Sequence, residues 1–470
     1  MDAHLSQIRE ALRSQDGYAL AAALTPAAPA NDPTRLHTLY RDDITLNAVQ
    51  AEIRHAVTYH DGVKLSKAER TAWTEVFGNH WKAIVEIVNA EQGRERDSSW
   101  TKAFEAWKEV LNALIRGYQT SVFEAWSIPC LYVGGNYLRK FAIKADKQAE
   151  IQQGSVTFNA GFQDDIVGAL DQHETLEEAG RQINRIYTLC ITDRAPLEES
   201  RKWGVYYVTN LLFKTYFMLN RISLCKNVMR SLQTTEPDLP PLDAFPKSQQ
   251  VTFKYYAGVI YFLEEDYAKA EQYLTSAYEL CHKDAQRNRE LILTYLVPCH
   301  LVTTHTLPTP ALLAPYPRLQ ALFTPLSRAI KRGDLGAFDA ALTAGEEEFI
   351  KRRIYLTLER GRDIALRNLF RKVFIVGGFE PLKEGQTEEQ RIRRTRIPIE
   401  EFAAAVRLAS RVPGGEVNGG GFGAEEIEQD EVECLLANMI YKNLMKGYIS
   451  REHGKVVLSK GGTAFPGTGV

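Results

Sequence analysis

Apolar residues recur along most of this chain at intervals of three and four, the spacing that lines one face of an α-helix. Tyr267–Lys283 (YAKAEQYLTSAYELCHK) shows it most clearly, with Tyr267, Ala270, Leu274, Ala277, Tyr278 and Cys281 on one face. Lys247–Leu263 (KSQQVTFKYYAGVIYFL) predicts a second helix, in which Ala257 and Gly258 leave room for a close neighbour. The joint between them, Glu264-Glu265-Asp266, is so short that the two helices must run antiparallel. Small residues at the centre of one helix, an acidic joint and alanines in the next form a TPR-like hairpin, loosely matched to the repeat consensus. The same spacing predicts helices at Ala51–Tyr59, Ser66–Asn89, Ser99–Tyr118, Leu176–Ile191, Trp203–Asn220, Leu224–Leu232, Asn288–Val302 and Pro317–Arg332. One hairpin cannot cover its own apolar face. Stacking into an all-α, TPR-like helical-repeat solenoid is the expected solution.

Proline and glycine mark the joints. Ala27–Pro33, Thr234–Pro246 and Leu307–Pro317 are prolyl breaks, Arg411–Gly423 is a glycine-rich loop, and Gly461–Val470 is expected to be a disordered tail. After Arg396 the pattern changes. Ile397-Pro398 opens a short extended segment, Ile399–Ser410 predicts a helix, and Glu431–Lys446 predicts another with Val432, Leu435, Leu436, Met439 and Ile440 on one face. Gly447 is placed to end that helix. Tyr448–Arg451 and Lys455–Ser459 then alternate as two strands about Glu452-His453-Gly454. Two helices and a β-hairpin make a winged helix. The division expected is 1–200 and 201–396 as helical repeats, 397–466 as the winged helix and 467–470 as disordered tail.

The 470 residues are ordinary in composition, 44% apolar and 25% charged, with a net charge of −2. That balance exerts no global pull toward nucleic acid or membrane, so any basic surface must be local. The N-terminus lacks the apolar core of a signal peptide, and no apolar run reaches membrane-spanning length. Six dispersed cysteines read as reduced, buried thiols of an intracellular protein. Catalytic signatures are missing. The glycines of 419–423 precede no Gly-Lys-Ser/Thr, and His173-Glu174 lacks the second histidine of a metalloprotease helix. Cys281-His282, Cys299-His300 and His305 lack the paired spacing of a zinc site. No enzyme activity, metal or cofactor is expected.

Two basic stretches stand out. Arg353, Arg360, Arg367 and Arg371 fall within a stripe of about 40° if one helix continues through Gly361. Arg391, Arg393, Arg394 and Arg396 follow, just before the winged helix, and Lys442, Lys446, Arg451 and Lys455 lie in it. Such cations suit phosphate backbones of RNA or DNA without sequence preference; a salt-bridged, solvated face or a seat for an acidic protein is the alternative. On the helix Glu431–Lys446, the face away from the core carries Cys434, Asn438, Tyr441 and Met445. That is soft and uncharged, which suits a protein interface or packing inside the winged helix, not base reading.

Asp430–Ser459 (DEVECLLANMIYKNLMKGYISREHGKVVLS), with Ala464-Phe465-Pro466 after it, resembles the end of PCI domains in nuclear-export and signalosome-related subunits. Phe253–Leu263, Tyr267–Leu280 and Arg287–Pro298 are similar to that family's repeats. Leu65–Trp81 and Ser99–Tyr118 resemble its branch of fungal homologues of COP-nine signalosome subunit twelve, with the PCI subunit of the TREX-2 export complex a close relative. The glycine insertion Gly414–Gly423 departs from the pattern. The resemblance implies a nuclear scaffold, present also in the cytoplasm, that docks on a second PCI-domain protein through the winged helices. It also implies a small, acidic, disordered subunit shared with the proteasome lid, and a role in transcription-coupled messenger RNA splicing or export. An accessory role in a signalosome-like or lid-like complex is the alternative. Aromatic residues from Trp203 to Val302 exceed one hairpin's core, so some are expected to line a groove, with Lys214, Lys226, Arg230 and Lys254 available to the acidic subunit.

Overall fold

In a computed structural model, antiparallel helices bury the apolar faces that the sequence spaces at three and four residues. The structure describes residues 2–27, 36, 39, 46–58, 65–93, 99–156, 173–381, 391, 393–410, 428–460 and 463–468. The prolyl stretch after Ala27 and the glycine-rich loop 411–423 therefore lie outside the described residues. The chain divides into two compact units, Met1–Tyr256 and Ala257–Val470.

In the first unit, Lys67–Gln92, Trp100–Gln119 and Pro129–Val156 pack in succession. The first of these starts at a capping box, in which Ser66 accepts from the Glu69 amide and the Glu69 side chain returns to Ser66, and it stops at Gly93 in the left-handed region. Trp73, Phe77, Phe104, Trp107 and Tyr118 are fully buried between the helices. Trp107 Nε1 donates to the Gly134 carbonyl at 2.9 Å, and a Cβ on Gly134 would lie 2.9 Å from Leu111 Cδ1. Glu174–Ile191, Val205–Met218 and Ile222–Thr235 continue the alternation. A polar tie joins the connection after Glu174–Ile191 to the end of Trp100–Gln119: Arg201 meets Asp193 at 2.8 Å while its Nη1 donates to the Tyr118 carbonyl at 3.0 Å. Burial acts to raise the Asp193 carboxyl, but the bonds from Arg201 and Ser200 outweigh it and hold the group at about 2.

The TPR-like hairpin forms as spaced. Lys247–Leu263 is followed by Tyr267–Leu280, Glu265 takes φ 61° in the joint, and Asp266 caps the second helix by accepting from the Lys269 amide. Gly258 is required there, since a Cβ would come within 2.6 Å of Leu274 Cγ. Gln286–Thr303, Pro317–Arg332 and Leu335–Ala344 extend the helical stack of the second unit. After the helix Ile222–Thr235 ends, the rest of the prolyl stretch, 236–246, holds only two short 3₁₀ turns, as its composition predicts.

The second unit closes in the expected winged helix. Gly361–Val376 leads to β1 (Arg396–Pro398), the helices Ile399–Ala409 and Gln429–Tyr441, then β2 (Gly447–Ser450) and β3 (Lys455–Leu458). The wing is a three-stranded antiparallel sheet with β3 in the centre, because the extended segment at Ile397 pairs with it. Phe370 and Phe402 meet edge to face at 5.1 Å and join Gly361–Val376 to the winged helix. One expectation fails here. The stretch from Gly461 is not wholly a loose tail: Ala464 and Phe465 are buried, Lys446 N donates to the Ala464 carbonyl at 2.7 Å, and Phe465 lies against Phe374. Among the described residues no helix is long and apolar enough to cross a membrane.

Candidate nucleic-acid and partner surfaces

The register of the wing sheet fixes which side chains share a face. Arg396, Val457 and Tyr448 stand opposite one another in one row, and Pro398, Lys455 and Ser450 in another. The intervening row, Ile397, Val456 and Ile449, turns to the core, where Ile397 and Val456 are completely buried. Ser459 N donates to the Lys446 carbonyl and Leu458 N to the Thr395 carbonyl, which extends both pairings by one residue. By the same alternation Lys446, Ser459 and Arg394 form a third outer row. These nine outer positions carry four cations and no carboxylate.

The twelve nucleic-acid candidates therefore fall into different situations. Arg396, Lys446 and Lys455 are exposed and make no ion pair among the described residues. Arg394 faces Glu401 at 3.2 Å, and Arg393 lies over the rings of Phe374 and Phe379. Arg391 is exposed. Lys442 is held by Asp363 at 2.6 Å, and Arg451 by Asp430 and Glu433, each at 3.2 Å.

The proposed arginine stripe does not form. The helix is interrupted twice, at Arg353, which takes φ 59°, and again at Arg360 between Tyr355–Glu359 and Gly361–Val376. Arg360 pairs with Glu265 at 2.7 Å, which raises its guanidinium pKa. Arg367 is only 3% exposed: Nη1 donates to Asn368 Oδ1 at 2.8 Å and Nη2 to the Pro466 carbonyl at 2.6 Å. Burial lowers its pKa, and neighbouring Arg371 adds to the shift. No phosphate reaches a guanidinium enclosed in this way. Of the four, Arg371 remains exposed without an ion pair among the described residues.

On the second helix of the winged helix, Cys434, Asn438 and Tyr441 are exposed, Tyr441 to 88%. Met445 does not belong with them. The helix ends at Tyr441, Asn443 turns the chain at φ 56°, and Met445 is 1% exposed in the core. Beside this face lies a cleft of about 460 Å³ lined by Leu356, Leu366, Leu435, Asn438 and Met439, with Glu265, Arg360 and Asp363 among its polar groups. On the helix's other flank an apolar cleft of about 340 Å³ is lined by Leu335, Val406, Cys434 and Leu435.

In the first unit Tyr206 and Tyr216 fill core, while Tyr207, Phe217, Tyr255 and Tyr256 are half-buried. Lys214 is half-buried beside Arg139, a residue the sequence patterns do not single out. Burial lowers both cations, and Arg139 lowers Lys214 further. Neither has a carboxylate partner among the described residues, and Arg139 Nε is buried without a hydrogen-bond acceptor there. Lys226 and Lys254 are half-buried and Arg230 is exposed. The cysteines divide plainly: Cys130, Cys190, Cys225, Cys281 and Cys299 are buried and Cys434 is exposed. Burial pushes the Cys299 thiol up to about 12, and His300 pairs instead with Glu271 at 3.0 Å. Among the described residues no three His, Cys, Asp or Glu converge as metal ligands.

The PCI domain family model matches residues 342–460, the segment that contains the winged helix. The chain is 56% identical to "Protein CSN12 homolog" of Neurospora crassa across the whole of both proteins. It belongs to the family of CSN12 homologues. The Gibberella zeae protein of the same name is 52% identical over both full lengths. "PCI domain-containing protein 2" of Danio rerio is 31% identical over 77% of this chain and 78% of its own. The CSN12 homologues thus share the repeats as well as the wing, and the PCI domain makes the chain a scaffold-type protein.

Proposed function

We propose that this CSN12 homologue is a non-catalytic scaffold subunit of a nuclear complex that processes or exports messenger RNA and touches nucleic acid through the outer face of its wing sheet. The observation that carries this reading is the set of nine outer sheet positions with four cations and no acid. Rows of exposed guanidinium and ammonium groups meet phosphates without reading bases. Catalysis is not expected, because the sequence carries no recognisable catalytic motif.

Partner docking takes the second helix of the winged helix. Asn438 lines one cleft and Cys434 the other, Tyr441 stands exposed one helical turn beyond Asn438, and an exposed tyrosine on a helix flanked by clefts suits an interface centre. A second PCI-domain protein is the occupant proposed. The acidic subunit is assigned to the first unit, where Arg139 and Lys214 have no carboxylate partner among the described residues and half-buried Tyr256 lies near Arg139. An acidic segment placed there would relieve two like charges at once.

Purification of the tagged chain from its own cells, with identification of bound proteins and cross-linked RNA, tests this reading. A second PCI protein, a small acidic protein and RNA are expected. Recovery of signalosome or proteasome-lid subunits with no RNA would replace it with the accessory role in protein turnover. Tyr441→Ala is expected to weaken the PCI partner by about 30-fold, the loss of one interface anchor.

A further inference from the structure

We propose that Tyr448 is a stacking platform for an unpaired base, which makes the wing sheet a site for single-stranded rather than duplex nucleic acid. The proposal rests on the nucleic-acid reading above and names the form of nucleic acid that site takes.

Tyr448 lies in the same outer row as Arg396, across Val457. Strands about 4.8 Å apart put the two backbones about 10 Å from each other. Lys446 and Lys455 belong to the neighbouring rows, about 7 Å away along the strands. Cations therefore flank the ring on both sides, at the distance a phosphate backbone needs when its base lies on the ring. The ring itself is open: Tyr448 is 63% exposed, and among the described residues no other ring packs on it.

Its position is also fixed. Gly447 sits so close to β3 that a Cβ would fall 2.4 Å from the Val457 carbonyl oxygen, and Ile449 pairs with fully buried Val456 on the opposite face. A tyrosine held on a rigid strand with its ring in water is poised to gain from covering, and base–aromatic stacking supplies that gain for any base. Bases in a duplex have their faces covered already, so only a single strand benefits. A protein partner would cover the ring as well, but three of the four cations around it, Arg396, Lys446 and Lys455, have no ion pair among the described residues and select an anionic ligand.

The test uses the full-length chain with a short oligouridine, a short oligothymidine and a matched RNA duplex. Tyr448→Ala is expected to weaken both single strands by about 5- to 100-fold and to leave the duplex and the salt dependence nearly unchanged. Tyr448→Phe should bind like the parent, and 2-aminopurine in the single strand should be quenched by the parent and the Phe variant alone. The exposed position keeps the fold intact, which the melting temperature checks. If Arg396→Glu weakens binding but Tyr448→Ala does not, the nucleic-acid reading stands and stacking is wrong. Equal losses on single strand and duplex, or a loss confined to RNA or to DNA, would also overturn stacking. Loss of a co-purifying protein with RNA binding intact would make Tyr448 a protein contact. A folded parent chain that binds none of the three probes would remove the underlying reading itself.

Discussion

Between Lys351 and Phe374 most arginines face carboxylates and carbonyls of their own chain, whereas on the outer wing sheet Arg396, Lys446 and Lys455 face solvent. Arg352 and Arg318 share Glu348, Arg360 takes Glu265, Arg362 takes Asp339 at 3.1 Å, and Arg367 ties down the Pro466 carbonyl. In the sheet, strand alternation sends Ile397, Val456 and Ile449 inward and leaves the charged residues in rows outside. Both regions are rich in cations, but the helical one has acids within reach of most of its arginines, whereas on the sheet face only Arg394 meets one, Glu401. Local richness in arginine thus says little about ligand binding until the neighbours are known. A cation already matched inside the fold acts as a structural tie; an unmatched one on a fixed strand is available to a ligand.

The same substitution placed in the two regions should separate those roles. Arg367→Glu would set a carboxylate against Asn368 Oδ1 and the Pro466 carbonyl, both acceptors, in a site 3% exposed. A stability loss of about 3–5 kcal/mol is expected by thermal or denaturant unfolding, with release of the Ala464–Pro466 segment. An unchanged melting temperature would mean that the buried tie is not structural.

Acid sharpens the comparison at an internal tie of the first unit. Asp193 is held at about 2 by Arg201 and Ser200, below the ordinary carboxyl value near 4. Its folded-state pKa is depressed, so its contribution is present above pH ~4 and is lost as pH falls from about 4 to about 2. The size is about 2 kcal/mol, and Asp193→Asn should remove that part of the acid dependence measured by unfolding across the same range. The smallest effect belongs to the sheet face. Arg396→Glu should alter stability by no more than about 0.5 kcal/mol, since an exposed side chain with no ion pair among the described residues leaves nothing unmatched.

Much of this architecture is legible in the sequence, and its failures have physical causes. The hairpin Lys247–Leu280 is legible because Gly258, the three-residue joint and the Asp266 cap are all local signals. The helix Pro129–Val156, which contains Gly134-Gly135, is not among the predicted helices. In the fold a Cβ on those glycines would lie 2.9 Å from Leu111 and 3.3 Å from Leu211, so close packing outweighs helix propensity. The interruption at Arg353 has no glycine or proline to announce it, and the supposed stripe fails there. Met445 is misplaced because the helix stops at Tyr441 rather than at Lys446. The wing hairpin is local and readable; the pairing of β1 with β3 joins Arg396 to Val457 across the intervening helices. Only that non-local register places Arg396 beside Tyr448 and reveals the acid-free face.

The central claim is that unpaired cations on this sheet face contact phosphates. It is tested most directly by the triple variant Arg396→Glu, Lys446→Glu, Lys455→Glu, titrated with single-stranded RNA across a salt series beside the parent chain. Loss of three phosphate contacts should lower the log–log salt slope by about 2, at about 0.7 per phosphate, with affinity falling most at low salt. A folded triple variant whose affinity and slope both match the parent would contradict the account.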